Sequence, residues 1–194
     1  MSFWVPRHAL GLAALLSLAA CREPGPLVIS PLYAPSTKIN FGVVRNTGAQ
    51  LTLAITDQRP TPNAVGRSTE DRLTSIEASP PDVVNFVGAA FWQELTAAGY
   101  SLTASGSVLI NVTILELWVE EANTYQGSTR LRVDIVKNGA LATSLTVTGA
   151  AKRWGATLAP EIYNQILSDC LLNAIQDLVK SNDFQTAVAP VPGS

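Results

Sequence analysis

Few residues of this chain could do covalent or acid–base chemistry. Its 194 residues include one histidine, His8, two cysteines, Cys21 and Cys170, and one methionine, the initiator Met1. A serine or cysteine nucleophile needs a base within hydrogen-bond reach, most often a histidine. His8 alone qualifies, and it sits in an apolar N-terminal stretch that is expected to be removed. Carboxylates are the next candidates. Glu116, Glu120 and Glu121 fall close together, and in a strand Glu116 and Glu120 share a face. Two such groups can act as an acid/base pair in a hydrolase; a solvated strand end is the plainer reading. Asp57 and Arg59, two apart at the end of a strand, point the same way. They read as an ion pair that anchors a loop, or as polar contacts of a binding loop. Trp92, Trp118 and Trp154 could line a surface groove, since tryptophan is enriched at interfaces, although packing in a core is its commoner use. No glycine-rich phosphate loop, nucleophile elbow or metal-ligand spacing is present. The expectation is a protein with no catalytic residues, no metal and no cofactor.

Cys21 stands apart because of what precedes it. Met1–His8 carries one charge, Arg7, and Ala9–Ala20 is an unbroken run of twelve small and apolar residues. A spanning helix needs about 20, so the run reads as the core of a signal peptide. It ends Leu18-Ala19-Ala20-Cys21, which resembles the bacterial lipobox. Slim residues precede the scissile bond, and the thiol accepts a diacylglycerol. Cleavage before Cys21 makes that residue the N-terminus, with an amine open to a further acyl chain. Each buried CH₂ contributes about 0.8 kcal/mol, so two or three chains hold a protein at a membrane where one would not. Arg22 follows, in place of the Asp that retains enterobacterial lipoproteins in the inner membrane. By that resemblance the destination is the periplasmic face of the outer membrane, with the inner membrane as the alternative.

Removing residues 1–20 from 194 leaves 174, enough for one domain with a proper core. That segment takes Arg7 with it and leaves 12 basic against 15 acidic residues. A weakly acidic chain without a basic run has no electrostatic footprint for nucleic acid. With Cys21 acylated, Cys170 has no intramolecular partner and no disulfide forms. It lies on an apolar stripe with Ile162, Ile166 and Ala174, which points to a buried, inert thiol.

The elements that must position these residues follow from periodicity. Residues 21–26 read as a lipidated tether and 27–182 as a single domain. Leu27–Ile29 suits a short edge strand. Leu51–Thr56 alternates and reads as a strand. Asp57–Ser79 is polar, with Pro60, Pro62 and Gly66, and reads as a long loop. Ser79-Pro80-Pro81-Asp82 announces a helix with a capping serine and proline in its first turn. Val84, Val87, Phe91, Leu95 and Ala98 then mark its apolar face, and Gly99 its end. Tyr100–Thr103 and Val108–Glu120 read as strands, the second changing phase near Leu115, as a β-bulge would. Ser128–Lys137 and Ala140–Val147 also alternate. A three-residue loop, Lys137–Gly139, would pair Ile135 with Leu141 and Leu131 with Leu145, gathering the apolar residues on one face. A last helix runs over Pro160–Ser181, and 183–194 reads as a disordered tail. The result is an α+β domain of two layers, a mainly antiparallel sheet of about four to five strands packed with two helices.

Several pieces in this order look like the YajG-type family of Gram-negative envelope lipoproteins. They are Cys21 with its Pro-containing sequel, Leu27-Val28-Ile29-Ser30-Pro31, the strand ending Asp57-Gln58-Arg59, the helix ending Ala98-Gly99-Tyr100, the long strand Val108–Glu120, the Arg130–Ile135 strand and the C-terminal helix. The region Asp57–Pro81 is longer and richer in proline than that family leads one to expect. The resemblance implies an outer-membrane lipoprotein without established enzymatic activity, and so supplies no catalytic residues. The expected function is therefore non-enzymatic: a lipid-anchored protein that binds an envelope protein or other envelope component. Its alternatives are an accessory lipoprotein of a transporter or of a peptidoglycan-synthesis machine, and a hydrolase using Glu116 and Glu120. The anchor is directly testable. Radioactive palmitate should label the wild-type chain in cells and not Cys21→Ala; equal labelling of the two would exclude Cys21 as the acylation site.

Overall fold

The structure is a computed structural model that describes residues 25–38, 41, 49–69, 74–155 and 157–189. The predicted signal peptide, Cys21, and the end of the predicted tail lie outside these residues. The element order is β1 (Leu27–Val28), β2 (Gln50–Asp57), β3 (Ala64–Ser68), β4 (Thr74–Glu77), α1 (Pro80–Ala97), β5 (Ser101–Leu102), β6 (Val108–Glu121), β7 (Thr124–Lys137), β8 (Ala140–Trp154), α2 (Pro160–Lys180) and α3 (Asn182–Val188).

The α+β class holds, but the sheet is larger than the expected four to five strands. It has eight strands among the described residues and curls into a half-barrel. It is also mixed rather than mainly antiparallel. The pairs β1/β4, β2/β5, β2/β6 and β3/β6 are parallel, while β3/β4, β6/β7 and β7/β8 are antiparallel. Parallel neighbours need a crossover connection. The chain between β2 and β6, which includes α1, provides it. The extra strands come from the stretch read as a loop. β3 and β4 are too short for alternation to declare itself, yet Val65 and Ile76 are fully buried. The predicted tail also yields an element. Ser181 caps α3 by accepting the Phe184 amide, and Phe184 buries its ring edge-on to Tyr100, with centroids 5.6 Å apart.

β6 is the central strand. β7 covers one edge of it along its whole length, and β2 and β3 share the other edge in tandem. β2 pairs with Val108–Ile114 and β3 with Val119–Glu121. The predicted bulge is present, with the β6/β7 register shifting between Ile114 and Glu116. The predicted hairpin register is not. Lys137 pairs directly with Ala140, around a two-residue turn in which Asn138 and Gly139 both have positive φ, 53° and 78°. That is the turn whose twist suits two strands. Read alone it would set Leu145 on the polar face, but β8 carries a bulge. Val136 pairs with Leu141 and Ile135 with Thr143, so Ala142 is skipped. Leu145 then faces Val133 and Val147 faces Leu131. The apolar face is restored by a bulge rather than by turn length, and Leu141 is left 62% exposed.

Both long helices begin as the sequence predicts. Ser79 Oγ accepts the Asp82 amide at the start of α1, and Pro160 opens α2. α1 buries Val83, Phe86, Val87, Ala90, Phe91 and Leu95, while Val84 stays at the margin. α2 lies across β7 and β8 and encloses Cys170, Leu171, Ile175 and Leu178 completely. Each such leucine or isoleucine contributes roughly 1.5–3 kcal/mol.

The crossing is unusually close. A Cβ on Gly127 of β7 would meet Cys170 Sγ and Ile166 Cγ2 at 2.5 Å, and one on Gly149 of β8 would collide with the Cys170 carbonyl oxygen. These two positions must lack side chains for α2 to seat. Gly149→Ala is therefore expected to lose about 1–3 kcal/mol or more in urea unfolding. Gly25→Ala, where a Cβ would meet nothing within 4 Å, should leave the midpoint unchanged.

Candidate functional site

Asp57 and Arg59 form the anchor that their spacing foretells. The Arg59 guanidinium meets the Asp57 carboxylate through Nε at 3.0 and 3.2 Å and through Nη2 at 2.8 Å. Its side chain is 4% exposed and that of Asp57 8%. The Arg59 amide also donates to Asp57 Oδ1 at 3.0 Å. In the same plane, Nη1 donates to the Ala64 carbonyl at 2.7 Å and Nη2 also donates to the Pro62 carbonyl. One side chain thus folds the 58–64 connection back on itself between β2 and β3. Beneath that connection no strand among the described residues flanks β6 on its β2/β3 edge over Leu115–Trp118, and there a cavity of about 260 Å³ opens. Arg59, Pro60, Thr61 and Ala64 roof it, and Leu115–Trp118 form its floor.

The structure does not assemble the glutamates into a catalytic pair. Glu116 accepts from Ser128 and lies 3.8 Å from Arg130. Glu120 is bridged by Arg67 at 2.8 Å. Only Glu116 borders the cavity. Glu121 does something the sequence did not signal: it is buried and accepts a hydrogen bond from Tyr163. Burial first, and then the adjacent Glu121 carboxylate, push the Tyr163 phenol far above its ordinary range, which keeps it a donor. Burial likewise pushes the Cys170 thiol up to about 12, where no thiolate forms near neutral pH. Among the described residues no cluster of three His, Cys, Asp or Glu could hold a metal ion.

The tryptophans do not share a groove. Trp118 borders the cavity under Arg59, Trp154 projects from the end of β8, and Trp92 stands on the outer side of α1, 53% exposed. Trp92 borders a larger concavity of about 570 Å³ between α1 and β2. Leu53 and Ile55 of β2, Asn85, Gly88 and Ala89 of α1, and Thr103 after β5 complete its walls.

The strand beside this groove has an open edge. β5 covers β2 only at Gln50 and Leu51, and Thr103 N closes the pairing on Leu51 O at 2.8 Å. Backbone groups of a strand alternate sides. Since the Leu51 carbonyl points outward, so do the N–H and C=O of Leu53 and Ile55. No strand among the described residues takes them up. Thr103 Oγ1, buried on the groove wall, has no hydrogen-bond partner. Sequence reasoning missed this site because its edge is defined by where β5 stops.

No protein-family model and no curated protein matches the chain. One solved structure supports a shared fold. The chain is similar to protein XCC0632 from Xanthomonas campestris, of the DUF330 family, at TM-score 0.57 and 10% identity over 82% of this chain and 95% of that one. It is also similar, at TM-score 0.38 and 10% identity, to the lipoprotein GNA1162 from Neisseria meningitidis, over 57% of this chain and 88% of that one. No helix among the described residues is long and apolar enough to cross a membrane.

Removing one partner of a buried ion pair costs about 3–5 kcal/mol, because the other charge is left unmatched. Arg59→Met keeps most of the apolar stem but strands Asp57 and two carbonyls. Its urea midpoint should fall accordingly, and protease should cut the 58–64 connection. An unchanged midpoint would show that the pair is dispensable.

Proposed function

We propose that the chain is a non-enzymatic envelope lipoprotein. It is anchored through Cys21 on the periplasmic face of the outer membrane and binds an extended segment of a protein partner along the open edge of β2. The anchoring rests on the lipobox and on Arg22 after it. The kinship with YajG-type lipoproteins rests on the order of the sequence motifs. The binding mode rests on one observation: the outward N–H and C=O groups of Leu53 and Ile55 run beside an apolar groove lined by Trp92. A strand laid there gains main-chain hydrogen bonds from the edge, and every second side chain enters the groove. Thr103 Oγ1 supplies one further polar contact at the groove's end.

Glu116 and Glu120 do not support the hydrolase reading, since each is held by its own arginine and only one reaches a cavity. Asp57 and Arg59 act in this reading as the support of the loop after β2, with their polar groups turned toward each other rather than toward a ligand.

Proline is tolerated on a strand edge when its missing N–H faces outward. Ile55→Pro should therefore leave the β2/β6 pairing intact while removing a donor from the groove. With a photo-crosslinking residue at position 92 in the full-length protein, cells should yield discrete adducts, and Ile55→Pro should reduce them at least ~10-fold, as expected for loss of about 1.4 kcal/mol or more of binding. Adducts unaffected by Ile55→Pro would overturn the edge-binding mode. A single dominant adduct would mark an accessory subunit of one machine, and several would mark a general envelope role.

A further inference from the structure

The sheet register fixes where the chain enters the domain. Leu27 is level with Ile76, Ile76 with Gly66, Gly66 with Val119, Val119 with Gly127 and Gly127 with Ala151. Across this path β1 runs antiparallel to β8. Going back from Leu27 along β1 therefore leads toward the same end of the sheet as going on from Ala151 along β8, and the chain enters through Gly25 on the rim where β8 ends at Trp154. α2 draws the two margins of the curled sheet together at that end. Asn164 Nδ2 donates to the Ser30 carbonyl at 3.4 Å, and the next residue, Gln165, accepts from Arg153.

This rim carries the most exposed large apolar side chain of the described residues. Trp154 is 81% exposed, and Leu158, in the connection to α2, is 46% exposed. Lys152 holds its ammonium 5.8 Å from the Trp154 ring centroid, and Arg153 is exposed beside it. Glu161, in the first turn of α2, is the acidic side chain nearest in sequence. Of the other exposed large apolar residues, Val28 and Leu32 lie on the N-terminal segment in and after β1, Trp92 in the groove beside β2, and Leu141 at the opposite end, next to the Asn138–Gly139 turn.

We infer that this rim is a membrane-contact surface, with Trp154 and Leu158 seated at the headgroup level of a phospholipid bilayer and Lys152 reaching its phosphates. The inference rests on the acylation of Cys21. Four residues of extended chain reach at most about 14 Å, so lipid on Cys21 holds the rim that contains Gly25 within that distance of the bilayer. An indole ring and a lysine side by side are the pair that membrane interfaces select, the ring at the boundary and the ammonium turned to the headgroups. The contact fixes the orientation of the domain as well as its distance from the membrane. The far end of the sheet, with its tight turn, is held away from the bilayer.

The test uses the mature acylated protein in phosphatidylethanolamine/phosphatidylglycerol vesicles, with acyl chains brominated or not. Mass spectrometry of Cys21 reports acylation separately. Trp154 is one of three tryptophans left once Trp4 departs with the signal segment. Up to about a third of the emission should be quenched by bromine in the wild type, as for a ring at the interface. Trp154→Phe should lose that quenching and Trp92→Phe keep it. Acylated protein that shows no quenching, or equal quenching in Trp154→Phe, overturns the contact surface and leaves the lipoprotein reading standing. Protein without acyl chains on Cys21 overturns both.

Discussion

The domain is organised around the contact between α2 and the sheet at Gly127 and Gly149. Cys170 lies at the point of closest approach, and neither strand has room there for even a methyl group. Interiors pack at near-crystalline density, so a backbone this close fixes the helix in both position and rotation. That fixed helix carries the rest. Its upper turns hold Tyr163 against Glu121, and Ser168 and Asp169 take the amides of Ala34 and Ser36, tying the N-terminal segment to the body. Its far end presents Ser181, which starts α3. The thiol at the crossing stays protonated chiefly because it is buried, with the Asp169 carboxylate acting in the same direction.

Much of this was legible in the sequence where the signal was local. The capping serine and prolines of α1, the span of α2 and the phase change at Leu115 each announce themselves within a few residues. The Asp57–Arg59 anchor was readable for the same reason, since residues two apart in a strand must face the same way. Signals failed where the deciding partner was distant or the segment too short. β3 and β4 are five and four residues long; β3 owes its strand form to β6 and β4, and β4 owes its own to β3 and β1. The β7/β8 register was misread because a tight two-residue turn and a bulge at Ala142 together achieve what a three-residue loop would have achieved alone. α3 lay hidden because only Phe184, Ala187 and Val188 are buried, on one turn and a half of helix.

The groove beside β2 shows the same division. Its apolar residues are visible in the sequence, but nothing local reveals that β5 stops after two residues and leaves the edge without a strand among the described residues. Edge strands are normally blunted by charge, proline or a bulge. This one is flanked by Leu53, Ile55 and Trp92 and carries none of these devices until Asp57. An unprotected edge is an aggregation hazard in a free protein and an asset in one that pairs with a partner.

The tandem use of one edge of β6 by β2 and β3 has a consequence for how the domain assembles. The partner of Leu51 is Val108, and that of Ser68 is Glu121, so β2 and the β3–β4–β1 group have nothing to join them into one sheet until β6 exists. The β6–β7–β8 meander, by contrast, closes through two short turns and needs nothing from upstream. Long-range pairings carry the larger loop-closure cost and form later. On loop-closure cost, the C-terminal meander with α2 is expected to form ahead of the pairings that β2 and β3 make with β6, against the order of the sequence.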